Sequence, residues 1–258
     1  MTTSHPPARP TRGFGIDIGG SGIKGAPVDL VEGAFAADRL RIPTPSPATP
    51  EAVTEVVAQI VAAFPDESPT SPIGVTFPAV IQHGVARTAA NVDKSWIGTD
   101  VDALMTARLG RPVHVVNDAD AAGLAEAHYG AAKGVRGTVF VATLGTGIGS
   151  ALIVDGHLVP NTELGHLEIG GEDYEKKAAD SARERDDLNW EQWAKRLQKY
   201  FSAIEALLWP DLIVVGGGVS KKSEKFLPLL KLEAPIVPAG LLNDAGIVGA
   251  ALLAAELG

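Results

Sequence analysis

The sequence contains no cysteine. That excludes disulfides, thiolate nucleophiles and cysteine-ligated metals, and it suits a reducing cytoplasm, the expected location. No run of eighteen uninterrupted apolar residues occurs. The longest apolar stretch, around Ala245–Ala255, fits only a short core helix, so no membrane span is expected. The first dozen residues carry no apolar segment of the kind that marks a secretory signal. Cationic residues are in deficit, with 22 Lys and Arg against 31 Asp and Glu. The resulting formal charge of -9 argues against wholesale nucleic-acid binding, which needs a basic footprint, although a local basic groove stays open. What is present is an ordinary globular composition. The 258 residues, 45% hydrophobic and 21% charged, suffice for one large domain or two small lobes.

Residues 1–12, with Pro6, Pro7 and Pro10, read as a disordered arm. Phe14, Ile16 and Ile18 then alternate with Gly15 and Asp17, the period of a strand, and Gly19-Gly20-Ser21-Gly22 turns the chain into a returning strand over 23–30. The same plan recurs 126 residues later. Val139–Leu144 leads into the glycine tip Gly145-Thr146-Gly147-Ile148-Gly149, and Ala151–Val154 returns. The offset carries Asp17 onto Thr143, Gly19 onto Gly145, Val28 onto Val154 and Asp29 onto Asp155, which points to two related halves. Between the hairpins, Thr49-Pro50-Glu51 is a helix start, followed by apolar residues at helical spacing from Val53 to Phe64. Residues 73–77 and 113–116 read as strands, 86–100 as a polar loop, 119–129 and 171–185 as helices. Trp190, Trp193, Ala194, Leu197, Phe201, Ile204 and Leu208 line one face of a long helix that stops before Pro210, and residues 212–215 form a strand ending in Gly216-Gly217-Gly218. Alternating strands and helices predict an α/β fold. The expected division is a small lobe of residues 13–117 plus 245–258 and a large lobe of residues 118–244.

Several groups in this frame can carry chemistry. Backbone N–H groups around Gly19, Gly20 and Ser21 can form a concave anion site, to which Lys24 would add positive charge. Asp17 beside a naked anion would repel it, but is reasonable if Mg²⁺ lies between them, directly or through water. The plain alternative is a tight hairpin with an exposed Asp and Lys. Thr143, Gly145, Thr146 and Gly147 offer a similar cradle with hydroxyls. Neither tip matches the P-loop pattern, and the second does not match the dinucleotide fingerprint. Gly217 and Gly218, after an apolar strand, form a third place for close approach to a phosphate or a flat ligand. Asn117-Asp118 ends a strand and opens a helix, a position where open α/β sheets bind ligands. There Asp118 can act as a general base or merely as a helix cap, and Asp120 competes for the same role from another side of the helix. Glu163, His166 and a later acid (Glu175 ahead of Glu168 or Glu172) can ring a polyhydroxylated ligand, hold a metal, or belong to a surface loop. Trp96 either covers an apolar sugar face or staples its loop to the core.

Asp17-Ile-Gly-Gly-Ser21, Asn117-Asp-Ala-Asp-Ala121, Gly145-Thr-Gly-Ile-Gly149 and Glu163-Leu-Gly-His166, in this order and spacing, resemble the ROK sugar kinases of the actin-like ATPase superfamily. The runs Thr88–Gly98 and Asn161–Glu168 are similar to the polyphosphate-using glucokinase branch of that family, and the resemblance extends from about Gly13 to the C-terminus. It implies a two-lobed, ribonuclease H-like fold with duplicated sheets and an interlobe cleft, and transfer of a phosphoryl group to the glucose 6-hydroxyl. Asp118 would be the base. Asn117, Asp118, Glu163, His166, Glu175 and Trp96 would contact glucose. The two hairpins would hold phosphates, with Gly217 and Gly218 near the adenosine end of a nucleotide donor. Mg²⁺, a donor that is polyphosphate or ATP, mannose as a second acceptor and a homodimer are further expectations. So is the absence of the zinc site that many ROK proteins build from cysteines after the matching His. A basic path for polyphosphate would draw on Lys24, Lys94, Lys133, Arg136, Lys221, Lys222 and Lys225. ROK repressors share the sugar motifs but add an N-terminal helix-turn-helix, and the few Pro-rich residues before the first strand are too few for one.

Overall fold

The computed structural model describes residues 10–66, 71–89 and 92–257. Most of the expected arm (residues 1–9), together with Ala90 and Asn91 of the loop run, lies outside the described residues. By packing, the chain divides into two units. The first comprises the chain up to Val116 together with Ile247 onward, and the second spans Asn117–Gly246.

In the first unit, β1 (Arg12–Gly19) and β2 (Gly22–Asp29) form an antiparallel hairpin in which Asp17 faces Lys24 and Gly19 faces Gly22. β3 (Ala34–Phe35) and β4 (Leu40–Ile42) pair with β2, while β5 (Ile73–Phe77) runs parallel to β1. The short hairpin β6 (Ile81–Gln82) and β7 (Val85–Ala86) stands apart from this sheet, and β8 (Val113–Asn117) pairs with β5 at its edge. Thr49 caps α1 (Pro50–Ala62) by accepting from Ala52 N–H at 3.3 Å, as the Thr-Pro-Glu start predicts. The helix buries Val53, Val56, Val57 and Ile60 against Ile16, Ile18 and Ile23. α2 (Val101–Leu109) follows. Gly15 and Gly74 are register partners on β1 and β5. A Cβ on them would lie 2.0 Å from Ile247 O and 1.8 Å from Ala250 O, so only glycine lets the Ala-rich helix α7 (Ala245–Leu257) press its backbone onto the sheet.

The second unit repeats the plan. β9 (Thr138–Leu144) and β10 (Ile148–Val154) form the antiparallel hairpin, β11 (His157–Val159) extends it, and β14 (Leu212–Gly216) runs parallel to β9 with β15 (Ile236–Pro238) beyond. The strand order β11-β10-β9-β14-β15 mirrors β3-β2-β1-β5-β8. Helix α3 (Asp118–His128) packs on β10 through Gly123, where a Cβ would meet Ala151 Cβ at 2.5 Å. The helix expected over 171–185 is instead three pieces: the strand β13 (Glu172–Asp173), which pairs with β12 (Glu168–Ile169) just before it, then α4 (Glu175–Ala178) and α5 (Asp180–Arg185). The break falls at Ala179, whose extended backbone (ψ 155) separates the two short helices. α6 (Trp190–Leu208) starts at an Asn189–Gln192 capping box and buries Trp193, Leu197, Phe201 and Ile204, whereas Trp190 is only half-buried.

Candidate active site

Each unit carries its polar groups around its glycine tip. In the first, Asp17 accepts from Thr76 Oγ1 at 2.9 Å through Oδ1 and pairs with Lys24 Nζ at 3.0 Å through Oδ2. Cross-strand register makes this pair inevitable, because Asp17 and Lys24 are direct partners and Thr76 is the β5 partner of Asp17. The charge of Lys24 is therefore spent largely on Asp17. Arg41, on β4 opposite Lys24, donates to Ser21 O at 2.7 Å, and Thr44 Oγ1 donates to Gly19 O at 2.5 Å. Arg41 thus sits against the tip itself. Sequence patterning misses it, since the strand that delivers it is three residues long.

In the second unit the tip is enclosed on three sides. Gly145 N–H bonds Gly147 O at 3.0 Å, and Ser181 of α5 takes both tip carbonyls, its N–H on Gly145 O at 3.1 Å and its Oγ on Thr146 O at 2.6 Å. Glu175, the first residue of α4, accepts from Ile148 N–H at 2.7 Å, and a Cβ on Gly147 would lie 2.3 Å from its Oε2. Gly217 has φ +82, and a Cβ there would strike Leu144 O at 2.2 Å, so the third glycine cluster braces the base of the tip. Next to the hairpin, Thr143 Oγ1 and Ala119 Cβ would both collide with a side chain at Gly149, which draws the first turn of α3 close to it.

That first turn carries Asn117 and Asp118. Asn117 is the helix cap, its Oδ1 accepting from Ala119 N–H at 2.8 Å and Asp120 N–H at 3.2 Å. Asp118 is exposed, with Oδ1 accepting from Ala119 N–H at 2.9 Å. Asp120 points inward: it is buried, Oδ2 accepts from Asn161 N–H at 2.8 Å, and Oδ1 is a buried oxygen without a hydrogen-bond donor. Burial pushes its carboxyl up to about 7, with the nearby charges of Glu163 and Asp118 adding to the shift and the Asn161 N–H opposing it. It competes for no exposed role. It anchors the loop that begins at Asn161, whose φ of +58 is a left-handed conformation that Asn tolerates.

The anchored loop presents the acids and the histidine. Ser150 Oγ donates to Thr162 O and accepts from Leu164 N–H at 2.9 Å, fixing the loop to β10. Gly165 lies so close to β10 that a Cβ would fall 1.7 Å from Ile148 O. Buried Tyr200 donates to Leu164 O at 3.1 Å. Within this clasp, His166 Nδ1 is 3.3 Å from Asp173 Oδ2 and 3.9 Å from Glu175 Oε1. A proton on Nδ1 leaves Nε2 as an acceptor. Asp173 Oδ1 also accepts from the N–H of Glu175, the first residue of α4, at 3.2 Å. Glu163 keeps accessible area, yet burial on its inner side raises its carboxyl above the ordinary range; His166 opposes that shift and Glu175 adds to it. Of the three later acids, Glu175 alone joins the cluster, while Glu172 pairs with Lys177 at 3.3 Å and Glu168 is exposed on β12. Asp173 and Ser150 carry no motif signal and emerge only from the packing, and the anchoring role of Asp120 emerges there too, although its motif marks the residue.

Trp96 is corrected. It is fully buried in the first unit, its ring 4.5 Å from that of Phe77 and its Nε1–H donating to Ala48 O at 2.8 Å. No face is left for a sugar, so it is the staple that its loop allows. The supposed polar loop over 86–100 contains this anchor and a 3₁₀ turn over Lys94–Trp96 capped by Asp93.

Comparison with known proteins follows the same lines. A model of the ROK family matches residues 13–179. The chain is 53% identical to a polyphosphate glucokinase of Mycobacterium tuberculosis over 253 residues, 97% of this chain and 94% of that one. It superposes on an inorganic polyphosphate/ATP-glucomannokinase from Arthrobacter sp. strain KM with a TM-score of 0.91 at 61% identity, covering 96% of this chain and 100% of the other. A ROK family glucokinase from Streptomyces griseus, in complex with glucose and AMPPNP, superposes with a TM-score of 0.79 at 25% identity over 95% and 99% of the two chains. The duplicated sheet plan, the ordered motifs and these likenesses agree, and the chain belongs to the ROK family.

Proposed function

We propose that this protein is a sugar kinase that phosphorylates the 6-hydroxyl of glucose, taking the phosphoryl group from inorganic polyphosphate or ATP. The observation that carries the reading is the second unit's cluster, in which an exposed Asp118 and the Glu163–His166–Glu175 group are fixed around one glycine hairpin. A polyhydroxylated acceptor needs such a set of directional partners, since each buried hydroxyl left unpaired costs about 1–3 kcal/mol. Asn117, Glu163, His166 and Glu175 hold sugar hydroxyls in this reading, with Asp173 fixing the tautomer of His166. Asp118 accepts the 6-hydroxyl proton as the oxygen attacks phosphorus, which is the general-base contribution to a reaction otherwise governed by positioning and charge.

Gly19, Gly20 and Ser21 of the first unit, and Thr143, Gly145, Thr146 and Gly147 of the second, offer backbone N–H groups and hydroxyls to the donor's phosphates. Lys24 acts mainly by neutralising Asp17. The Asp17 carboxylate fits Mg²⁺ through water: it is part-exposed, and Mg²⁺ keeps most of its waters and needs only one or two carboxylates besides substrate phosphates. Asp17 would hold the ion, which supplies charge neutralisation at the donor phosphates when bound. Mannose as a second acceptor, assembly as a homodimer and a cytoplasmic location belong to the same reading.

The test is glucose-dependent consumption of each donor by the purified protein, followed as glucose 6-phosphate formed. Turnover with polyphosphate and with ATP is expected. Sugar binding without turnover by either donor would instead favour a sugar-responsive regulator.

A further inference from the structure

One group of cations lies outside the cluster described above and is built rather than scattered. Three positive side chains converge on the indole of Trp190: Arg183 Cζ at 4.6 Å from the ring centroid, Lys225 Nζ at 5.7 Å and Lys222 Nζ at 5.9 Å. Phe226 stacks on the same ring at 6.1 Å with an interplanar angle of 17°, and Trp193 packs edge-on against both. Arg183 is compensated by Asp180 at 2.7 Å and Glu184 at 3.2 Å. Among the described residues, no carboxylate lies within ion-pair distance of Lys222 or Lys225, and both are exposed. In a chain with a formal charge of -9, two uncompensated ammonium groups gathered on one aromatic ring form a local reversal of sign.

The group is also tied to the second glycine tip from two directions. Arg183 lies on α5 two residues after Ser181, which clasps Gly145 O and Thr146 O. Lys222 and Lys225 lie on the 3₁₀ segment Gly218–Lys225, whose preceding Gly217 is pressed against Leu144 at the base of the same hairpin. Arg183 and Phe226 already pack on the indole, which leaves it ill suited to stack a nucleobase. Strongly hydrated point charges on flexible stems suit a chain of phosphates instead.

We infer that Lys222 and Lys225, held on Trp190, form a polyanion track that receives the distal phosphates of a long polyphosphate donor. This rests on the donor reading above and assigns it a second contact region beyond the glycine tips. ATP brings only three phosphates, so a second cationic region of this kind would distinguish long chains from nucleotide.

The experiment compares the unmodified protein with the double variant Lys222→Gln/Lys225→Gln, using polyphosphate of about 30 units, tripolyphosphate and ATP as donors. Equilibrium binding of the long polyphosphate is measured alongside. The expected result is a KM for the long chain raised about tenfold or more, with a shallower dependence of log KM on log salt, because fewer phosphate charges are neutralised. KM for ATP and for tripolyphosphate stays within about twofold, and ATP-driven turnover certifies that the variant is folded. An unchanged long-chain KM overturns the inference and leaves the donor reading intact. An equal rise for ATP also overturns it, placing the lysines at the general donor site. If the unmodified protein binds the long chain but does not use it, loss of that binding in the variant upholds the track while the donor reading fails; no binding at all defeats both. Competition by single-stranded DNA of equal charge that matches polyphosphate would reduce the track to an unselective basic patch and overturn it.

Discussion

The two glycine hairpins share a strand plan and a 126-residue offset, yet their tips solve different problems. Position 21 of the first is serine, and the offset pairs it with Gly147 of the second. A Cβ at Gly20 of the first tip would meet nothing within 4 Å, whereas one at Gly147 would run into the Glu175 carboxylate at 2.3 Å. The first tip is braced from one side by Arg41 and Thr44, and its acid is neutralised across the strands by Lys24. The second is packed by Ser181, Glu175 and Gly217, and the polar residue matching Asp17 is the uncharged Thr143. A duplicated scaffold thus fixes the two glycine turns, while the segments after each hairpin decide which side chains gather around them. In the second unit that segment supplies the acids and the histidine.

Variants can break this contrast, beginning with the largest effect. Asp118→Asn should lower kcat about 10²–10⁴-fold with little change in glucose affinity, read by steady-state kinetics and a glucose titration. Near-normal turnover would remove Asp118 from the chemistry.

Asp120 provides the next effect, through pH. Its folded carboxyl titrates at about 7, above the 3.8 of the unperturbed group, so the folded state holds the extra proton between those values. Its contribution to stability is therefore full below pH 4 and declines as pH rises towards 7, by up to about 1.4 kcal/mol per pH unit. Asp120→Asn keeps an acceptor for Asn161 N–H and should flatten that part of the stability profile in denaturant melts at a series of pH values. An unaltered slope would show that Asp120 does not titrate there.

Gly147→Ala should cost about 1–3 kcal/mol and weaken glucose binding, because Glu175 must yield. Ser21→Ala at the matching position should change stability by less than about 0.5 kcal/mol. Equal costs in thermal melts would erase the distinction between the tips. Lys24→Met removes the partner of a part-exposed acid and should destabilise by about 1 kcal/mol, an effect that shrinks in high salt.

Much of the fold was legible because its signals are local. The alternation from Phe14 to Ile18, the Thr49-Pro50-Glu51 start and the apolar stripe from Trp193 to Ile204 need only neighbouring residues to be read. The segment 171–185 reads as one helix because charge and helix propensity there say nothing about Ala179, which is extended just before Ser181 bonds the glycine tip. Trp96 was ambiguous for a related reason: an aromatic in a polar loop looks the same whether its ring meets a ligand or Phe77. The candidate site was half legible. Asn117, Asp118, Asp120, Glu163 and His166 stand in short motifs, but the bond from Asp120 to Asn161, and those of Asp173 and Ser150, reach far along the chain or across a turn, which no spacing reveals.

What the order of residues alone determined was the repeated hairpin, the α/β class and the chemical types available, since strand period, glycine runs and helix caps depend on contacts a few residues long. Only the tertiary structure decided which charges are spent and which remain. Asp17 and Lys24 cancel because β1 and β2 set them opposite each other, while Lys222 and Lys225 meet on Trp190 because α6 and the segment after β14 pack together. Charge acts through space, and folding sets those distances.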